Sequence, residues 1–314
     1  MSSKTRHVPP ATVRNYHYDD LERLRKLKIE LEKRESSLDP WFLQDVEENL
    51  ALSHRLSELN VFVAETKENL IAFLKLKPEL DIGRVVLTLI VHPRHLKRSL
   101  LLRLIQRAVI RARELEAKRV LINLQRRRPE LKNALLEMDF RSTRRYLELR
   151  LDLSKVFIPE TSRKAVHIRP FKSGEEDRLA CIQNRAFGST WGYSSNTIQD
   201  IIDRTALPNF SPQDVLYAFD GKKIVGYCWT MITSPNRFSS RSSGRIFMIG
   251  VDPKDQGRGV GKQLLLAGLS YLKGKGIHIV DLTVDSENNA AFALYKSVGF
   301  RYRTSTLWYE MSLV

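Results

Sequence analysis

A glycine-rich segment near residue 260 is the part of this 314-residue chain best suited to binding a ligand. It follows an apolar run that ends at Val251-Asp252-Pro253, and it reads Gln256-Gly257-Arg258-Gly259-Val260-Gly261-Lys262. Glycine allows the backbone to approach a ligand closely, and the free amides at a helix N-terminus suit a phosphate or diphosphate. The guanidinium of Arg258 adds hydrogen-bond donors. The segment is therefore predicted to open a helix and to bind an anionic group.

Two common phosphate-binding motifs fit this segment poorly. A dinucleotide fingerprint needs G-x-G-x-x-G directly after a strand, whereas Gly257, Gly259 and Gly261 stand at alternate positions several residues beyond it. A P-loop needs glycine where Gln256 stands, and serine or threonine where Gln263 follows the lysine. Alternatively, the segment is a glycine-rich turn that joins a strand to a helix and binds no ligand.

The pattern that remains is Gln/Arg-x-x-Gly-x-Gly/Ala, which Gln256, Gly259 and Gly261 match. It resembles the acetyl-CoA loop of the GCN5-related N-acetyltransferase (GNAT) family. Downstream, the segment 288–300 is similar to that family's second motif, N-x-x-A-x-x-L-Y-x-x-x-G-F. Two motifs in the family's order are a more specific signal than either alone. Hairpin and N-terminal elements extend the resemblance across residues 166–314.

The resemblance implies an enzyme that transfers an acetyl group from acetyl-CoA to a primary amine, which attacks the thioester directly. Backbone groups before the loop would bind the pantetheine arm, and the helix start would bind the diphosphate. The residues assigned to acetyl-CoA in this way are Ile249, Gly250, Val251, Gln256, Gly257, Arg258, Gly259, Val260, Gly261, Lys262, Asn288 and Tyr295. Since no covalent enzyme intermediate is implied, Cys181 and Cys228 are interpreted as packing residues. A CoA-binding pseudoenzyme or scaffold without turnover is the alternative function.

Tyr295 matches the family residue that lies near the CoA sulfur and can protonate the leaving thiolate. A phenol with an ordinary pKa of about 10 stays protonated at neutral pH and can donate to a thiolate. Packing of an aromatic helix residue on the core is the alternative. The general base departs from the family's pattern, because Arg245 stands where many relatives carry a glutamate. Glu310, Asp285 and Asp281 are the candidate replacements, and a site without a strong base favours an acceptor of low pKa such as an α-amine.

The acceptor is predicted to be a small-molecule or peptide amine. Trp191 and Tyr193 are candidate walls of its pocket, and simple packing of these loop aromatics is an equal alternative. The seven histidines show no repeated ligand spacing, so no metal site is predicted.

The elements that must position these residues occur twice in the chain. Residues 89–93 match residues 249–253, and residues 135–140 match residues 295–300 at the same spacing. Each half reads strand, helical stretch, hairpin, strand, helix, strand, helix, strand. The predicted fold class is α/β with mixed α+β character, in two tandem GNAT-like domains that each have a mixed, mostly antiparallel sheet flanked by helices.

The predicted domains are residues 1–160 and 161–314, joined within residues 154–165. The first repeat has lost the motif, because Leu96, Lys97, Ser99 and Leu101 stand opposite Gln256, Gly257, Gly259 and Gly261, and Leu135 stands opposite Tyr295. It is therefore predicted to be a degenerate domain without a CoA site, and residues 161–314 are predicted to be the catalytic domain.

Composition and charge argue against several other classes of protein, namely nucleic-acid-binding, disulfide-rich and membrane proteins. Lys and Arg number 52 against 36 Asp and Glu, a net charge of +16. The arginine clusters near residues 126–128 and 141–145 carry no RNA-binding aromatic motif, so nucleic acid is not the favoured partner. Two cysteines are too few for a disulfide framework, and no apolar run is long enough to span a bilayer. The protein is predicted to be cytoplasmic without a membrane partner, and its oligomeric state is left open.

Overall fold

The computed structural model describes residues 11–34, 58–67, 69–125, 128–158, 166–233 and 242–314. The chain forms two compact units, the first made of Met1–Arg144 with Thr306–Val314 and the second of Arg145–Ser305. In each unit helices flank a mixed, mostly antiparallel sheet, which confirms the predicted fold class.

The helices and strands follow one another twice in the predicted order. The strands are β1 (Thr12–Asn15), β2 (Val61–Glu65), β3 (Leu70–Glu79), β4 (Arg84–Val91), β5 (Arg119–Gln125), β6 (Arg141–Asp152), β7 (His167–Pro170), β8 (Val215–Asp220), β9 (Lys223–Thr233), β10 (Ser243–Val251), β11 (Ile279–Asp285) and β12 (Arg301–Ser312). The helices are α1 (Leu21–Arg34), α2 (Arg98–Glu114), α3 (Pro129–Glu137), α4 (Glu176–Phe187), α5 (Ile198–Thr205), α6 (Val260–Gly274) and α7 (Asn289–Val298).

Strand order is the same in the two units. The first unit has the order β1-β2-β3-β4-β5-β12, and the second has β7-β8-β9-β10-β11-β6. Only β4 with β5 and β10 with β11 run parallel among these neighbours. Each parallel pair is joined through a helix, α2 or α6, as a parallel connection requires.

Each sheet carries helices on both faces. In the second unit, α6 packs Leu264, Leu265 and Leu269 against one face, while α4 and α5 cover the other face with apolar residues such as Leu179 and Ile201. The first unit repeats this arrangement with α2 on one face and α1 on the other. Within the described ranges, no helix combines the length and the apolar composition needed to cross a lipid bilayer.

The last strand of each repeat pairs in the unit formed by the other repeat. Residues 146–152 of β6 pair antiparallel with β11, and residues 306–312 of β12 pair antiparallel with β5. The compact units therefore differ from the contiguous division at residue 160, which assigned each terminal strand to its own repeat. Both strands present the same kind of alternating pattern, which specifies the face that a strand buries but not which neighbour it joins.

Candidate active site

The glycine segment forms a backbone turn that other residues adopt only with strain. Gly257 and Gly259 have φ values of +76° and +79°, in the left-handed region. A Cβ atom at either position would meet no other atom within 4 Å, so the conformation and not crowding requires glycine here. The turn leads from the end of β10, through a short 3-10 turn at Pro253–Asp255, into α6.

The N-terminus of α6 carries no side-chain cap. Its N-cap residue is Gly259, and no acidic residue lies in its first turn, whereas Lys262 does. The Gln263 amide donates to the Gly259 carbonyl at 3.2 Å, so the amides of residues 260–262 precede the regular hydrogen bonds of the helix. Such amides, together with the helix dipole, fit a diphosphate group.

The Arg258 guanidinium takes part in an ion-pair cluster beside the loop. It donates to Asp255 at 2.6 Å and to Asp220 at 2.8 Å, and Lys223 also donates to Asp255 at 2.8 Å. These hydrogen bonds from Lys223 and Arg258 lower the pKa of Asp255. The Gln256 side chain donates to the Val251 carbonyl at 3.3 Å. Both side chains therefore shape the loop in this structure, whereas the amides of residues 260–262 lie outside the regular hydrogen bonds of α6.

The two parallel strands β10 and β11 separate beside this loop. They pair only over Gly244–Ile246 and Val280–Leu282, although β10 continues to Val251 and β11 to Asp285. The pairing of β10 with β9 also shifts between Ile246 and Met248, which marks a β-bulge. Backbone groups at the end of β10 can therefore pair with an extended ligand on the β11 side.

Gly250 lies at a point of close packing. A Cβ atom there would lie 2.8 Å from the Ala186 Cβ and 2.9 Å from Phe187 Cε2 of α4. The absence of a side chain lets α4 lie directly on β10. Gly250 therefore has a structural reason to be glycine apart from any ligand.

The second motif lies against the first in space. A Cβ atom on Gly261 would lie 3.6 Å from both Leu294 of α7 and Val251 of β10. The start of α6, the end of β10 and helix α7 thus meet at one place. Asn288 caps α7, because its Oδ1 accepts from the Ala291 amide at 3.0 Å.

Tyr295 is buried on α7, with 6% of its surface exposed, and its ring lies edge-on to Phe300 at 5.9 Å between centroids. Burial raises the pKa of Tyr295 above its ordinary value, and Cys228 adds to the effect. Among the described residues the hydroxyl has no hydrogen-bond partner. Tyr295 is therefore a neutral hydrogen-bond donor at physiological pH.

The two cysteines differ in surroundings. Cys228 is buried on β9, where a Cβ on Gly268 of α6 would lie 2.8 Å from its sulfur, and burial raises its pKa to about 12. Such a thiol stays protonated and is a poor nucleophile. Cys181 is exposed on α4.

The candidate bases lie in different surroundings. Asp281 is held by two hydrogen bonds from Arg150, at 2.7 and 2.8 Å. Asp285 is buried at the end of β11 and accepts from the Glu287 amide at 3.0 Å. Glu310 lies on the part of β12 that belongs to the first unit, opposite Leu121 and 3.7 Å from Arg119. It is thus in a different compact unit from Tyr295.

Arg245 donates to the Thr283 hydroxyl at 2.6 Å. Thr283 stands directly opposite Glu148 of β6, a residue that sequence reasoning did not select. The Glu148 side chain is 12% exposed and lies 3.9 Å from Arg303. No local pattern could have indicated Glu148, because its place depends on the exchange of the terminal strands.

The two loop aromatics have different contacts. The Tyr193 ring stacks on Phe187 at 5.6 Å, and its hydroxyl donates to Asn184 at 2.8 Å. The Trp191 ring lies 6.5 Å from that of Tyr146, two residues before Glu148 on β6. Tyr193 thus holds the loop together, whereas Trp191 contacts the strand that carries Glu148.

Comparison with known proteins agrees with the two motifs. Residues 178–300 match the family model of the acetyltransferase (GNAT) family. A GCN5-related N-acetyltransferase from Sphaerobacter thermophilus has the same fold, with a TM-score of 0.70 and 19% identity over 97% of this chain and 96% of that one. A tandem GNAT protein from the clavulanic acid biosynthesis pathway has a TM-score of 0.71 and 13% identity over 96% and 98%. Residues 178–300 therefore resemble the GNAT family, and the chain as a whole shares the fold of these two solved proteins.

The curated relatives described here are named mycothiol acetyltransferase. The chain is 33% identical over 147 residues to a mycothiol acetyltransferase from Catenulispora acidiphila, which covers 46% of this chain and 47% of that protein. It is 29% identical over 231 residues to a mycothiol acetyltransferase from Amycolatopsis mediterranei, which covers 72% and 75%. The chain spans about half the length of several other relatives of this name.

Proposed function

We propose that the protein is an acetyl-CoA-dependent N-acetyltransferase that acetylates a primary amine by direct attack on the thioester. The observation that carries this proposal is the uncapped start of α6, which adjoins both the separated strands β10 and β11 and the helix that bears Tyr295. The match of residues 178–300 to the acetyltransferase (GNAT) family model supports acetyl transfer. The shared name of the curated relatives favours a small-molecule acceptor.

Backbone groups would hold the donor. The amides of residues 260–262 would bind the diphosphate, with the charge of Lys262 adding attraction. Unpaired backbone groups from Met248 to Val251 would pair with the amides of the pantetheine arm, as an added strand would. A backbone amide of the same stretch would polarise the thioester carbonyl, because the developing oxyanion needs a fixed donor.

Tyr295 would stabilise the leaving group. Bound acetyl-CoA supplies the thioester carbon, which the amine nitrogen attacks while the C–S bond breaks and its electron pair stays on sulfur. The raised pKa of Tyr295 exceeds that of a thiol, so complete proton transfer to the thiolate is unfavourable. Its hydroxyl would instead donate a hydrogen bond to the sulfur as negative charge develops there.

The acceptor would be an amine of low pKa. Arg245 cannot accept a proton, so the free amine must form with little help from this position. At neutral pH an α-amine is unprotonated on the order of 400 times more often than a lysine side chain. We therefore propose an acceptor whose amine has a pKa close to that of an α-amine.

Release of free thiol from acetyl-CoA, measured against a panel of amines, tests this function. Thiol release that depends on the amine is expected, and it should be greatest for amines of pKa near 8. Arg245 also favours the alternative of a CoA-binding protein without turnover. Tight binding of acetyl-CoA with no amine-dependent thiol release would support that alternative.

A further inference from the structure

Three side chains form a row on one face of the second unit's sheet. Arg245 of β10 donates to Thr283 of β11, and Thr283 is directly opposite Glu148 of β6. Directly opposite residues on neighbouring strands point to the same face, with Cβ atoms about 5 Å apart. The three side chains therefore line one continuous strip that crosses three strands.

This strip lies on the face away from α6. The neighbours of these residues along the strands, Ile246, Leu282 and Leu149, are buried in the core that α6 covers. Side chains alternate along a strand, so Glu148 and Thr283 point to the opposite face. Trp191 lies on that face, because its ring approaches Tyr146, which is two residues from Glu148.

Glu148 lies beside the point in the sheet where β10 and β11 stop pairing. The last β11 residue paired with β10 is Leu282, and the next residue is Thr283, the partner of Glu148. The strand separation is where the proposed function places the thioester. A carboxylate at this level is thus beside the path of an incoming amine.

The chemistry of this corner suits a cation. Carboxylates form charge-assisted hydrogen bonds with ammonium groups, and aromatic rings such as those of Tyr146 and Trp191 attract cations to their faces. Arg303 lies 3.9 Å from the Glu148 carboxylate, and Arg245 lies beyond Thr283. Of the other candidates, Asp281 is held by Arg150, Asp285 accepts from the Glu287 amide, and Glu310 lies in the first unit.

We infer that Glu148, carried into the site by the exchanged strand β6, binds the acceptor ammonium and accepts its proton. The inference rests on the proposed function. The ammonium nitrogen loses one proton to the Glu148 carboxylate and attacks the acetyl carbon with the lone pair that this frees. The sulfur leaves with the electron pair of the broken C–S bond, and the second proton lost by the nitrogen converts the thiolate into the free thiol. The proton then passes from Glu148 to solvent.

Glu148→Gln tests this assignment, because it keeps the shape and removes the proton acceptor. We expect kcat/KM for the amine to fall at least 100-fold, the range of a general base, with the Kd for acetyl-CoA unchanged. The loss should be smaller for amines whose pKa lies below the assay pH. The limb of the wild-type pH profile that reports a carboxylate should also disappear. Glu130→Gln, an exposed glutamate of α3, is the matched control.

The outcomes separate the inference from the proposed function. A wild-type protein without turnover of any amine overturns the proposed function and the inference with it. Turnover in which Glu148→Gln stays within twofold of wild type overturns the inference alone. If Glu148→Gln loses acetyl-CoA binding, Glu148→Ala is measured instead. An Ala variant that binds acetyl-CoA and keeps full activity with an unchanged pH profile also overturns the inference.

Discussion

The starts of α2 and α6 occupy equivalent places in the two units, and they differ where a ligand would bind. Both follow the same local turn, since His92 Nδ1 accepts from the Arg94 amide and Asp252 Oδ1 accepts from the Lys254 amide. The N-cap of α2 is Lys97 with φ −94°, whereas that of α6 is Gly259 with φ +79°. The repeats thus keep the turn that joins strand to helix, but only the second keeps the glycine backbone.

The first unit places its own charges at this corner. Arg98, the first residue of α2, forms an ion pair with Glu137 of α3, with Nε donating to Oε2 at 2.8 Å. The residue equivalent to Tyr295 is Leu135, which is fully buried in the apolar core. The phenol and the glycine turn are therefore both replaced by groups that stabilise the fold. This difference supports the proposal that the first repeat does not bind CoA.

The difference between Tyr295 and Leu135 is expected to have the largest effect on activity, and removing the Tyr295 hydroxyl tests it. We expect Tyr295→Phe to lower kcat about 100-fold, because the leaving thiolate loses its hydrogen-bond donor, while the Kd for acetyl-CoA stays the same. Steady-state kinetics and calorimetry measure the two quantities. Tyr302→Phe, at an exposed tyrosine, is the control. Unchanged turnover in Tyr295→Phe removes this residue from the mechanism.

Replacing Gly259 with the serine found at the equivalent position of the first repeat tests whether acetyl-CoA binding needs the left-handed glycine turn. Gly259→Ser copies Ser99 and puts a side chain at φ +79°, which costs about 1–2 kcal/mol. We expect the Kd for acetyl-CoA to rise about 10-fold, since the amides move from the position that suits a diphosphate. Gly274→Ser is the control, because a Cβ there meets nothing within 4 Å and its φ is ordinary. Equal affinities in the two variants contradict this role of the turn.

An ion pair near the start of each repeat offers a smaller, structural comparison. Arg14 pairs with Asp20 in the first unit, and Arg169 pairs with Glu175 in the second. Hydrogen bonding from Arg169 lowers the pKa of Glu175 below its ordinary value of 4.5. A lowered pKa in the folded state means that the stabilisation is present above about pH 4.5 and is lost as the pH falls through the lowered value.

We therefore expect Glu175→Gln to lower the free energy of unfolding by about 1–2 kcal/mol at pH 7, with the difference from wild type shrinking below pH 4. Urea unfolding at several pH values measures it, with Glu176→Gln as the control. A difference that stays constant from pH 7 to pH 3 contradicts the electrostatic origin.

The number of acetyl-CoA molecules bound per chain is the quantity that we expect to change least. Calorimetry should show one acetyl-CoA bound per chain, and Ser99→Gly should leave that number at one. A single glycine does not restore the turn, because Lys97 and Leu101 still stand opposite Gly257 and Gly261. Two bound molecules in the wild-type protein contradict the proposal of a degenerate first repeat.

Local features of the site were predictable from the sequence. The glycines at alternate positions, the apolar stripe behind them and the second motif at 288–300 indicated the turn, α6 and α7. The spacing between repeats likewise predicted the same order of helices and strands in each half of the chain. These features depend on the backbone preferences and the hydrophobic periodicity of residues that are close together in the chain. Both can be read directly from the sequence.

Contacts between distant segments were decided only by the tertiary structure. The sequence offered Glu310 as one candidate base, and pairing of β12 with β5 places it in the first unit, whereas pairing of β6 with β11 places Glu148 in the second. The sequence predicted Arg258 as a hydrogen-bond donor to the ligand, and only the tertiary structure shows that it also pairs with Asp220 and Asp255. An alternating strand pattern states which face is buried but not which strand lies alongside, because backbone hydrogen bonds are the same for every partner.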